Sequence, residues 1–81
     1  MSTSAGRYVV EVKFAPARRA LVKRFSTQDE AEKFYVATVA VWQQKANRER
    51  TSYVARCYVT RTKDTTQPIE VFTETRIEPI R

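Results

Sequence analysis

The chain has 81 residues, which is enough for one domain and too few for two. Hydrophobic residues make up 42% of it and charged residues 30%, a balance typical of a folded globular protein rather than a disordered one. It has one cysteine and no histidine, which excludes an intramolecular disulfide and the zinc sites built from paired cysteines and histidines or from four cysteines. The sequence also has no glycine-rich phosphate loop, no nucleophile elbow and no metal-ligand spacing, so we expect no catalytic residue, no metal and no cofactor.

The amino-terminal residues and the length of the apolar runs indicate the cellular compartment of the protein. Residues 1–6 lack the basic and apolar segments of a signal peptide, and we expect a flexible terminus there, followed by one α+β domain over residues 7–81. The longest uncharged apolar run, from Phe34 to Trp42, is far shorter than the roughly 20 residues of a membrane helix. A single unpaired thiol suits a reducing compartment. The sequence thus predicts a cytoplasmic protein without membrane contact, with Cys57 as a small buried strand residue.

Two strands are predicted before the helix. Residues 7–14 alternate between apolar and polar side chains, the pattern of a half-buried strand. A break containing proline follows, and residues 19–25 form the second strand, with Phe14 paired to Arg19. Lys23 is a charge on the apolar side of that strand, which is typical of an edge strand.

A helix is predicted next. Thr27 and Glu30 have the spacing of a capping box, and the helix should end near Asn47. The side facing the sheet is predicted to consist of Ala31, Phe34, Tyr35, Thr38, Val41 and Trp42. The opposite side carries Val36, Val39 and Ala40. Two interpretations stay open for these three: a contact surface, or a chance group of small apolar side chains.

Residues 53–62 and 69–78 are two further strands, rich in β-branched and aromatic side chains. A register that pairs oppositely charged residues across them also sets Tyr58 beside Phe72 on the outer face. The predicted fold is α+β, a ββαββ chain with a four-stranded antiparallel sheet in the order 2-1-3-4. One helix packs on one face of this sheet, and the other face stays open.

The net charge of +6 comes from fifteen Lys and Arg residues against nine Asp and Glu residues. Two segments hold the excess, because residues 1–25 and residues 45–63 each contain six basic residues and one acidic residue. Such clustering is typical of a phosphate-binding face. A charge of this size also keeps small proteins in solution, so both interpretations stay open.

The outer face of the sheet suggests how a ligand could be held. Exposed aromatic side chains beside arginines can stack on unpaired bases. The candidate nucleic-acid contacts are Arg7, Arg18, Arg19, Lys23, Arg24, Arg48, Arg50, Arg56, Tyr58 and Arg61. The aromatic pair could instead meet a protein or simply stabilise its hairpin. The candidate interface residues are Val36, Val39, Ala40, Tyr58 and Phe72.

The stretch from Arg18 to Glu32, RRALVKRFSTQDEAE, resembles the strand-to-helix junction of integrase arm-type DNA-binding domains. Those domains use a basic strand followed by Phe, Thr and a Glu-Ala helix start. In that family three strands precede a terminal helix and the sheet enters the major groove, whereas two strands are predicted after the helix here. The resemblance implies DNA binding and covers this stretch alone.

Together these observations predict a small, basic, non-enzymatic binding module that associates with nucleic acid weakly and with little sequence preference. The alternative is a small inhibitor or adaptor, of the kind that phages and mobile elements encode, which binds an acidic protein through its open sheet or its helix. The thin core of so short a chain and its exposed apolar residues also predict a homodimer.

Overall fold

The computed structural model describes residues 6–14 and 18–80. The elements are β1 (Tyr8–Phe14), β2 (Arg19–Phe25), α1 (Gln28–Glu49), β3 (Tyr53–Thr60) and β4 (Pro68–Ile77). The strands form one antiparallel sheet in the order β2-β1-β3-β4, and α1 packs on one face of it. The predicted ββαββ fold is confirmed. The expectations for residues 1–5 and for the break at residues 15–17 lie outside the described residues.

Helix α1 begins as predicted and ends later than predicted. The Glu30 N–H donates to Thr27 Oγ1 at 3.2 Å, which satisfies one of the free donors of the first turn. The helix continues past Asn47, whose side-chain oxygen accepts from the Ile80 N–H at 2.7 Å. It ends at Glu49, and Arg50 follows in the left-handed conformation with φ 55°.

The core lies between the sheet and one side of α1. The edge of the Trp42 ring contacts the face of Tyr53, with the ring centres 4.8 Å apart. Val39 packs against this core, because it follows Tyr35 by four residues and so shares its side of the helix. Val41 is 62% exposed. The predicted placement of Val39 outside and Val41 inside was therefore wrong.

Three bulges change the predicted strand registers, and two of them lie in β4, at Phe72 and at Ile69. Cys57 lies opposite Thr73, but Tyr58 lies opposite Val71, so Phe72 is the extra residue of a bulge in β4. The predicted pairing of Tyr58 with Phe72 is therefore wrong. The Phe72 ring instead stacks on Tyr8 on the helix side, with ring centres 6.2 Å apart.

The bulge in the other hairpin lies in β2, where Ala20 is the extra residue opposite the step from Val12 to Lys13. It sets Lys13, rather than Phe14, opposite Arg19. The rest of the pairing between β1 and β2 follows the prediction, with Val12 opposite Leu21 and no change of face for the apolar side chains.

The face opposite α1 is not open at its centre. Its buried side chains are those of Val9, Glu11, Tyr58 and Thr60. The β3–β4 connection folds back towards β2, where Arg24 Nη2 donates to the Thr65 carbonyl at 2.5 Å. Arg19 Nη2 likewise donates to Thr66 Oγ1 at 2.8 Å. The connection and the arginine side chains thus cover the middle of this face.

Cys57 is fully buried, as predicted. Burial, together with the negative charge of Glu32, raises the pKa of its thiol to about 11. A thiol with this pKa stays protonated at neutral pH, so Cys57 acts as a small core residue.

In residues 6–14 and 18–80, no helix is both long and apolar enough to cross a membrane.

The left-handed backbone of Arg50 gives a test of the helix end. A side chain in this conformation costs roughly 1–2 kcal/mol, which glycine avoids. We expect Arg50→Gly to raise the free energy of unfolding by about 0.5–1 kcal/mol in urea denaturation. Arg48→Gly, two residues earlier and inside the helix, should lower it by a similar amount. A loss of stability in both variants would contradict this account.

Candidate nucleic-acid interface

The distribution of ion pairs separates the basic side chains into two groups. Five of them bind acidic residues: Arg19 and Arg56 bind Glu11, Lys33 binds Asp29, Lys45 binds Glu49 and Arg76 binds Glu78. The others form no salt bridge with another described residue: Arg7, Lys13, Arg18, Lys23, Arg24, Arg48, Arg50, Arg61 and Lys63. The exposed members of this second group can meet anions in solution.

One end of the sheet collects basic side chains from three parts of the chain. Phe14 pairs with Tyr53, so the end of β1 lies beside the start of β3. The Phe14 N–H also donates to the Arg18 carbonyl at 2.7 Å. Helix α1 runs to the same end, since Arg50 comes shortly before β3. We call the resulting group the basic end: Lys13, Arg18, Arg48 and Arg50. The three arginines are exposed and Lys13 is half-buried.

The opposite end of the sheet holds a second basic group: Arg7, Arg24, Arg61 and Lys63. The positive charge of this group is less available to a ligand in solution. Arg24 is half-buried and its guanidinium is bound to the Thr65 carbonyl. Acidic residues also lie at this end, because α1 begins there with Asp29 and Glu30 in its first turn, and Asp64 lies in the β3–β4 connection. The basic end also contains Glu49 and Glu78, but these bind Lys45 and Arg76, so the four residues of the basic end leave it with the larger positive charge.

The predicted nucleic-acid contacts do not form one surface. Arg18, Arg48 and Arg50 meet at the basic end, and Arg7, Arg24 and Arg61 lie at the other. Lys23 is exposed on β2, the edge strand that joins the two ends. The remaining three, Arg19, Arg56 and Tyr58, surround the buried Glu11.

Glu11 is the main feature of the outer sheet face that the sequence did not reveal. Its side chain is 1% exposed and accepts from Arg19 Nε at 2.6 Å and from Arg56 Nη2 at 3.0 Å. Burial alone would raise the pKa of Glu11, but the hydrogen bonds from the two arginines and the charge of Arg56 outweigh it, and the pKa is lowered. Both arginines therefore neutralise a carboxylate of their own chain.

Tyr58 was predicted to be exposed and able to stack on bases, and this was wrong. It is fully buried, with the Arg56 guanidinium 5.2 Å from its ring centre. Burial, and then the negative charge of Glu11, raises the pKa of the Tyr58 hydroxyl to about 12. A ring enclosed in this way offers no face to a base.

The predicted interface residues likewise do not form one surface. Val36 is 70% exposed and Ala40 is exposed, whereas Val39 is half-buried against the core. Tyr58 and Phe72 lie on opposite faces of the sheet and form no shared patch. Of the predicted interface residues, Val36 and Ala40 on α1 are the exposed ones.

Sequence reasoning missed Lys13 as a candidate, although it is one of the six basic residues of the segment 1–25. Its neighbours at the basic end come from residues far along the chain, and only the strand order brings them together.

Among the described residues, no group of three or more His, Cys, Asp or Glu side chains could hold a metal ion.

Comparisons with protein-family models, with curated proteins and with solved structures gave no match for this chain.

The buried carboxylate gives the second test. We expect Glu11→Gln to lower the free energy of unfolding by about 1–3 kcal/mol, because two hydrogen bonds lose their charged acceptor. Glu74→Gln is the matched control: Glu74 pairs with Arg56 across the strands but is exposed, so its replacement should change stability by at most about 0.5 kcal/mol.

The lowered pKa of Glu11 also predicts how the stability of the unmodified chain and of Glu11→Gln depends on pH. The pKa of Glu11 is lower in the folded state than its ordinary value of 4.5, so its stabilising effect is complete above that pH. It is lost as the pH falls through the folded-state pKa. The stability difference between the unmodified chain and Glu11→Gln should therefore be constant near neutrality and shrink in acid. A difference that grows in acid would show that the carboxylate is not held as described.

Proposed function

We propose that the protein binds nucleic acid through its basic end, by electrostatic contact with the phosphate backbone. The observation that carries this proposal is the meeting of Lys13, Arg18, Arg48 and Arg50 at one end of the sheet with no salt-bridge partner among the described residues. Phosphate oxygens are the acceptors that exposed arginines bind best, in pairs of parallel hydrogen bonds.

The edge strand next to the basic end supports the same proposal. β2 has a neighbour on one side only, so the backbone N–H groups on its outer side are free to donate to phosphate oxygens. Arg18 precedes this strand and Lys23 lies exposed within it. A backbone that enters at the basic end can therefore continue along β2.

The chemistry of this surface also sets the character of the binding. The basic end provides guanidinium and ammonium groups. The ring of Tyr58 is buried and the ring of Phe72 stacks on Tyr8, so neither is available to a base. Contacts to phosphates fix position without reading sequence. We accordingly propose weak binding with little preference for one sequence, and no catalytic step.

Salt dependence tests the proposal. If three or four side chains of the basic end neutralise phosphates, the logarithm of the binding constant should fall against the logarithm of salt concentration with a slope of about −3 to −4 on duplex DNA. The measurement is fluorescence anisotropy of a labelled duplex over a range of salt concentrations. Arg18→Gln combined with Arg50→Asn should reduce the steepness by about 2, since two phosphate contacts are lost. Asparagine is chosen because it tolerates the left-handed backbone of Arg50.

The control variant carries the same charge loss at the opposite end, Arg61→Gln combined with Lys63→Gln. It should keep the slope of the unmodified chain. An equal reduction in both variants would mean diffuse attraction rather than a site at the basic end. The absence of any binding to DNA or RNA at low salt would overturn the function itself.

A further inference from the structure

Helix α1 has an exposed apolar surface on the side away from the sheet. We call it the outer stripe: Val36, Ala37, Ala40 and Val41. All four are exposed, Val36 at 70% and Val41 at 62%. They lie within the uncharged run from Phe34 to Gln44, which fills the middle of the helix. Next to it, a groove of about 260 Å³ between α1 and β2 is lined by Leu21, Phe34, Ala37, Thr38, Val41 and Trp42.

The charges of α1 are arranged about the centre of this stripe. The first turns are acidic, with Asp29 and Glu30 exposed, and the last turns carry Lys45 and Arg48. A second copy of the helix, turned to run in the opposite direction, therefore sets each acidic end against a basic end. The two copies are related by a twofold axis, as most homodimers are.

The register of such a pair follows from the positions alone. With the axis between Thr38 and Val39, Ala37 of each copy lies beside Ala40 of the other. The same register sets Val36 against Val41 of the second copy. The small alanine side chains at the crossing point let the two helices approach closely, and the valines on either side fill the contact.

The same register pairs the charges at both ends. It sets Asp29 level with Arg48 of the second copy, and both lie on the side of the helix that carries the outer stripe. Arg48 has no salt bridge to any residue that the structure describes. Since the axis is twofold, this attractive pair occurs twice.

We propose that the outer stripe of α1 is the interface of a symmetric homodimer in which the two helices run antiparallel. The occupant of the stripe is a second copy of this chain because one register satisfies the apolar contacts and the charge pairs together. This interface does not depend on nucleic-acid binding and can be tested without it.

Analytical ultracentrifugation over a range of concentrations tests the dimer. The unmodified chain should sediment at twice the monomer mass. Ala40→Arg places two like charges beside the crossing point and should raise the dissociation constant at least about 100-fold. Ile69→Arg adds the same side chain at a residue of β4 that is 58% exposed, and should leave the dimer intact. A monomer at high micromolar concentration, or disruption by Ile69→Arg alone, would overturn the proposal.

Charge reversal tests the register and does not rely on a single variant. Asp29→Arg or Arg48→Glu alone sets like charges together across the interface and should weaken the dimer about tenfold. The double variant restores both pairs with their signs exchanged, so it should dimerise more tightly than either single variant. Both replacements oppose the helix dipole, so simple destabilisation of α1 would instead make the double variant the weakest. That outcome would refute the antiparallel register.

Discussion

A carboxylate buried at the centre of the sheet controls how the outer face is built. The charge of Glu11 cannot stay at 1% exposure without partners, because an unpaired ion in such a place is strongly destabilising. Its partners come from both neighbouring strands, Arg19 from β2 and Arg56 from β3. Arg19 then reaches on to Thr66, and through this contact the β3–β4 connection is drawn over the sheet. The face that a helix leaves uncovered is thus closed by arginines.

Local features of the sequence predicted the fold well. The alternation in residues 7–14, the Thr27 capping box and the two later strands each depend on neighbours along the chain, and each appears in the structure. The errors arose where residues far apart in the chain determine the strand register or the burial of a side chain. A single extra residue in β4 turned Phe72 to the helix side, and alternation cannot reveal such a bulge. Glu11 looks like an ordinary exposed residue of β1 until Arg19 and Arg56 are brought beside it.

The candidate site shows the same limit. The sequence identified the basic segments but treated their charges as one group. The fold divides them: Arg19 and Arg56 bind the buried Glu11, and Arg7 and Arg61 lie at the end of the sheet where α1 begins with acidic residues. Among the described residues, the basic end has the larger excess of exposed positive charge. The strand order makes this division, since it places the end of β1, the end of α1 and the start of β3 together. Net charge alone therefore suggests a class of ligand but does not indicate where a binding site would lie.

The direction of α1 relates the two proposals to each other. In the proposed antiparallel dimer Arg48 faces Asp29 of the second copy, which leaves Lys13, Arg18 and Arg50 as the proposed phosphate contacts of each basic end. The two ends then lie at opposite ends of the paired helices. At a rise of 1.5 Å per residue, the Arg48 positions of the two copies are separated by about 30 Å along the helix axis. One turn of duplex DNA spans about 34 Å, so the two basic ends could meet successive turns of one duplex. Dimerisation would in this way join two weak sites into one stronger contact, because the second end binds its turn without a new encounter.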